Sequence, residues 1–169
     1  MADCAVGCVR EAAGLDAYNT PFVDDEEWVC RSARVPDDLN KGNLKASFVT
    51  TKEFAKGQLS GWRIGDPEEL PALADKLRAN DWRVDNLLAA KAGVLRAART
   101  NNDPRRVLCV INDTRIDEVG NHDDQHVAMS PCARLLEAPA DLEVEMSDLK
   151  AQLTLIFKSS KVSLAPIES

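Results

Sequence analysis

The distribution of apolar residues predicts an α+β fold: a largely antiparallel sheet packed with two to four helices as a single pair of layers. Three observations lead there. Strand-like stretches come first, a helical region follows, and strand-like stretches return, an order unlike the regular alternation of a doubly wound sheet. The two most regular helical stripes lie together mid-chain, over 70–77 and 87–98. The run 107–111 (Val-Leu-Cys-Val-Ile) is continuously apolar and short enough for a buried strand.

Taken in order, residues 1–24 are expected to be a loosely attached segment with a short helix over 5–13, ended by Gly14. Trp28, Cys30 and Val35 begin a strand closed by Pro36-Asp37-Asp38. Asn40-Lys41-Gly42-Asn43 is turn chemistry. Residues 44–51 are rich in strand formers, with a helical turn open over 52–56, and 59–64 reads as a short strand stopped by Gly65. Asp66-Pro67-Glu68-Glu69 is a capping box with proline at the first helical position, followed by Leu70, Leu73, Ala74 and Leu77 on one helical face. Pro71 kinks that first turn or delays the start. A second helix is expected over 85–99, with Leu87, Leu88, Lys91, Val94, Leu95 and Ala98 tracing its inner stripe. Asn101-Asn102-Asp103-Pro104 breaks the chain, and 107–111 and 126–129 form a hairpin with a long polar tip. Over 141–158 the alternation of Leu142, Val144 and Met146 competes with the helical spacing of Met146, Leu149, Leu153 and Ile156; a helix from about Ser147 is favoured. Residues 159–169 are expected to be a loose tail.

A chain of 169 residues, 44% hydrophobic, suits one domain that buries its own core. The aromatic content is 5%, so aliphatic residues carry the packing, with Trp28, Trp62 and Trp82 expected in the core. The formal charge is −7, from 21 basic and 28 acidic residues. That field opposes nucleic acid and anionic lipid and suits a basic partner or plain solubility. Five cysteines without a CxxC pair, and an N-terminus without a basic start and apolar run, lead to reduced thiols in the cytoplasm, with Cys109 a buried thiol. No stretch is apolar for the roughly 20 residues of a membrane span.

Four constellations are candidates for chemistry. His122, Asp124 and His126 crowd a polar loop that could gather around a metal ion, although imidazoles at this spacing share a face only on a helix. Arg96, Arg99, Arg105 and Arg106 could meet a phosphate or an acidic partner, or merely complement a helix dipole. Asp3-Cys4 before a helix, with His126-Val127-Ala128-Met129 opening a strand, resembles NlpC/P60 peptidases, which implies a cysteine nucleophile at Cys4 and its base at His126. Arg31 in a strand, Ser47-Phe48-Val49-Thr50-Thr51 in a second and Glu143-Val144-Glu145 later resemble ADP-ribosyltransferases. That resemblance implies Arg31 on the phosphates of NAD, Ser47 or Thr50 supporting the nicotinamide pocket, and Glu145 stabilising the ribose cation. The arginine strand, Leu44-Lys45-Ala46-Ser47-Phe48, Leu59-Ser60 and His126-Val127-Ala128 together are similar, over about half the chain, to a family of small uncharacterised bacterial proteins, which implies no activity.

The expectation is therefore a non-enzymatic accessory protein of bacterial or phage origin that needs no cofactor and binds another protein, a basic one by charge. The alternative is an enzyme that uses NAD through Arg31, Ser47, Thr50 and Glu145.

Overall fold

The computed structural model describes residues 8, 10–11, 22–116 and 119–167. In chain order the strands are β1 (Trp28–Ala33), β2 (Leu39–Asn40), β3 (Asn43–Leu44), β4 (Leu59–Ile64), β5 (Asn86–Lys91), β6 (Leu108–Asn112), β7 (Arg115–Ile116), β8 (His122–Asp123), β9 (His126–Pro131) and β10 (Val162–Ser163). The helices used below are α1 (Thr51–Ala55), α2 (Leu70–Ala79), α3 (Ala92–Arg96), α4 (Ala133–Leu136) and α5 (Pro139–Ser160). Six strands form one sheet in the order β10-β5-β1-β4-β9-β6, and every neighbouring pair is antiparallel. The α+β class with an antiparallel sheet is thus as expected.

Helices cover both faces of this sheet, where a single pair of layers was expected. On one face Val29, Leu59, Leu88, Val110 and Met129 pack beneath Leu142, Leu149, Leu153 and Phe157 of α5. On the other, Cys30, Trp62, Ile64, Leu87 and Ala89 meet Leu70, Leu73, Ala74 and Leu77 of α2. The two sets alternate residue by residue along β1, β4 and β5, as the two-residue period of a strand requires.

Double coverage explains the main departure from the sequence reading. Residues 86–91 form the interior strand β5, between β10 and β1, rather than the first half of a helix, and only Ala92–Arg96 is helical. A strand buried on both faces loses its polar alternation, and its apolar run then fits a helical stripe equally well. A second departure lies at 44–51, where a 3-10 turn over Ala46–Phe48 replaces most of a strand, while α1 supplies the helical turn left open over 52–56. Phe48, Val49 and Phe54 plug the core there, and the Arg31 guanidinium holds the Phe48 carbonyl at 2.9 Å.

Helix α5 begins at Pro139 rather than near Ser147, because Leu142 and Met146 are one helical turn apart and Val144 points outward at 73% exposure. Proline suits its first position, where the amide has no partner. The expected loose tail instead adds β10 to the sheet edge, pairing Val162 with Ala89 and Ser163 with Leu88, and the Asn86 side chain binds the Ala165 backbone through both its oxygen and its nitrogen. The capping box before α2 forms as read: Asp66 accepts from the Glu68 amide, and Glu69 accepts from the amides of Gly65 and Asp66. In the expected N-terminal segment, the described residues Cys8, Arg10 and Glu11 are fastened to the sheet, and Cys109 is not a thiol but disulfide-bonded to Cys8. The expected helix over 5–13 otherwise lies outside the described residues.

Candidate functional site

The β6–β9 hairpin and helix α2 build a cleft between them. Across the β4–β9 pairing, Trp62 stands directly opposite His126, and their rings meet edge to face at 5.9 Å between centroids. After α2 the backbone turns through Asp81 at φ +62°, and the Trp82 amide donates to the Leu77 carbonyl at 3.0 Å. That turn sets the Trp82 ring edge to face with Trp62 at 5.1 Å. Trp82 is 48% exposed and walls the cleft, contrary to the core position expected for it. Lys76 of α2 bridges to the hairpin tip, donating to Asp123 Oδ1 at 2.7 Å and Gln125 Oε1 at 2.8 Å. The cleft volume is about 460 Å³, with Trp62, Leu77, Trp82 and Ile116 as apolar wall and Asn80 and Asp123 among its polar groups.

His126 is the chemical centre of this cleft. It is 2% exposed. Its Nδ1 lies 2.9 Å from the Asp113 carbonyl and 3.2 Å from the Asp113 carboxylate. Two oxygens at one ring nitrogen fix the proton there in the neutral ring, so Nε2 carries the lone pair. Nε2 is buried and has no hydrogen-bond partner. Leaving a buried acceptor unpaired costs about 1–3 kcal/mol. The Asp113 carboxyl is held below its ordinary range, first by the hydrogen bond from His126, with Arg115 contributing at 3.0 and 3.1 Å. The arrangement is an oriented acceptor at the base of an aromatic pocket.

The four sequence constellations fare differently. His122 and His126 both line the cleft, but His122 is exposed on β8 and Asp124 is exposed in the turn between the strands. Among the described residues no group of three or more His, Cys, Asp or Glu side chains is placed to hold a metal ion. Cys4 lies outside the described residues. Arg31 and Thr50 do meet, at 3.2 Å, yet the guanidinium is already bonded to the Phe48 and Ser60 carbonyls at 2.9 and 2.7 Å. Burial lowers its pKa to about 10. Ser47 is exposed and donates to the Asp37 carbonyl. Glu145 sits in helix α5 and makes no hydrogen bond or ion pair to Arg31. The arginine fastens the 46–50 segment to the sheet and is not presented to a phosphate.

The basic cluster likewise turns inward. Arg96 and Arg106 converge on the buried Glu11 carboxylate, Arg105 pairs with Asp103, and Arg99 donates to the carbonyls of Arg96 and Ala98. Their acidic partner Glu11 comes from 85 and 95 residues away, so the pairing is invisible in the local sequence. Lys76 and Trp82, which line the cleft, and Asp113, which orients His126, were missed by the sequence reading. For Asp113 a signal existed: registering the expected hairpin pairs Asn112 with Val127, which puts the next residue beside His126.

Fold and cleft together define an α+β protein with one oriented imidazole acceptor in an aromatic-walled recess. No protein-family profile, curated protein or solved structure matches the chain.

Proposed function

We propose that this chain is a non-enzymatic accessory protein that binds another macromolecule, and that the recess over His126 receives an anchoring group of that partner. The observation that carries the reading is the buried, oriented and unpartnered Nε2 of His126. The chemistry selects an anchor with an apolar body for Trp62, Trp82 and Ile116 and an N–H or O–H donor for Nε2. Anchors that fill such recesses supply most of the energy of many interfaces. The net charge of −7 favours a basic partner and speeds its encounter at low salt. No helix among the described residues is long and apolar enough to cross a membrane. The reading includes a cytoplasmic home, where a disulfide such as Cys8–Cys109 is exchangeable rather than permanent.

The test compares capture of partners from extract by wild-type protein and by His126→Asn at low ionic strength. The asparagine amide keeps the donor toward Asp113 and removes the Nε2 acceptor. The expected result is one or more partners bound about ten-fold more weakly by the variant, the worth of one hydrogen bond, and released from both by salt. Equal capture by the two proteins, or no specific capture at low salt, overturns the proposal.

A further inference from the structure

Three of the five cysteines meet at one place. Cys8 and Cys109 form a disulfide, and the Cys132 Sγ lies 3.5 Å from the Cys109 Sγ. Cys109 stands on β6 opposite Ser130 of β9, and Cys132 lies two residues beyond Ser130, so its side chain falls on the same face one diagonal step away. The thiol therefore rests against the disulfide it could attack. Cys30, the remaining described thiol, belongs to the separate cluster under α2, and burial pushes its pKa up.

The Cys8 side of this bond has its own attachments. Arg10 donates to Ser130 Oγ. The Glu11 carboxylate accepts from the Val110 amide at 2.7 Å and from Arg96 Nε at 3.0 Å, and also pairs with Arg106. Cys8, Arg10 and Glu11 thus form a latch laid over the β6–β9 hairpin, with the disulfide as its covalent pin.

We propose that this site performs intramolecular thiol–disulfide exchange: Cys132 displaces Cys8 from Cys109 and so unpins the N-terminal segment. The Cys132 thiol loses its proton and its sulfur attacks Cys109 Sγ. The Cys109–Cys132 bond forms as the Cys8–Cys109 bond breaks. The electron pair leaves on Cys8 Sγ, which takes up a proton. One disulfide and one thiol remain, so no oxidant or reductant is consumed. The sulfurs must close from contact distance to about 2.05 Å, a side-chain movement between adjacent strands. Attack requires the thiolate, so the exchange accelerates as pH rises. Arg10 also lines, with Asp113 and Arg115, a cavity of about 290 Å³ on the hairpin. Unpinning the segment would open that cavity beside the carboxylate that orients His126. The exchange itself stands independently of what the recess binds.

The experiment uses the full chain and, to exclude the fifth cysteine, the same chain carrying Cys4→Ser. Each is incubated without added thiol at pH 7 and pH 8.5, quenched in acid, denatured, alkylated with N-ethylmaleimide and mapped without reduction. The expected result is label at both Cys8 and Cys132 in chains with one disulfide, reached faster at the higher pH. Trypsin reads the consequence: cleavage after Arg10 is faster in the exchanged protein than in the double variant Cys4→Ser/Cys132→Ser, in which Cys132 cannot displace Cys8. Label at Cys132 with Cys8 unlabelled at every time and pH overturns the proposal, as does a protein isolated from oxidising buffer with all three sulfurs as thiols.

Discussion

Arg31 shows how a side chain that suggests catalysis becomes structural. Its three nitrogens bind two backbone carbonyls and the Thr50 hydroxyl, and its guanidinium lies over the Phe48 ring at 5.5 Å. Arg31→Met leaves the Phe48 and Ser60 carbonyls without their donor in the interior. The expected loss is about 3 kcal/mol, read as a lower urea midpoint at unchanged slope. Asp103 gives a prediction in pH. Hydrogen bonds from Arg105, with Arg134 nearby, depress its carboxyl from 3.8 to about 2. A depressed folded pKa means stability that is present above the unfolded value and lost as pH falls through the folded one. The melting temperature of wild type should therefore exceed that of Asp103→Asn above pH 4, with the gap closing between 3.8 and about 2. A gap that stays constant across this window removes the assignment.

At the scale of elements, local chemistry is decisive where a helix starts and weak where a strand is enclosed. The Asp66 cap was legible because it satisfies free amides within its own first turn. Asp66→Ala should cost about 1 kcal/mol, measured by chemical denaturation. Strand β4 carries a different constraint. A Cβ on Gly61 would stand 2.9 Å from the Cys30 carbonyl and 3.1 Å from Met129 Cε. The neighbouring strand backbone cannot yield without opening the β1–β4 pairing, so Gly61→Ala should destabilise by about 1–3 kcal/mol, with hydrogen exchange faster in β1 and β4 than in α5. Residues 86–91 were misread for the opposite reason to Asp66: nothing local distinguishes Leu-Leu-Ala-Ala in a two-sided strand from the same run in a helix.

For the whole molecule, α5 closes one face of the sheet and α2 the other. Phe157 of α5 meets Phe48 edge to face at 5.1 Å, so the last third of the chain is keyed to the turn after β3. Phe157→Ala should remove about 3–5 kcal/mol, seen as a lower melting temperature in both near- and far-ultraviolet circular dichroism. Coincident loss of the two signals is expected, because the α5 and α2 cores share strands β1, β4 and β5. A far-ultraviolet signal that persists after the near-ultraviolet signal is lost would show that the two faces unfold separately.

Period and punctuation in the chain were enough to determine an antiparallel α+β class, the hairpin of 107–111 with 126–129, the capped start before α2, and His126 as a residue of interest. These depend on neighbours within a few positions, where side-chain spacing and turn chemistry act directly. Only the tertiary structure decided that both faces of the sheet are covered, that Glu11 gathers Arg96 and Arg106, that Cys8 reaches Cys109, and that Trp82 and Lys76 complete a recess around His126. Those contacts join residues tens of positions apart. They follow from where the strands are laid in the sheet, an order set by the shared burial of many weakly specific apolar surfaces rather than by any one local motif.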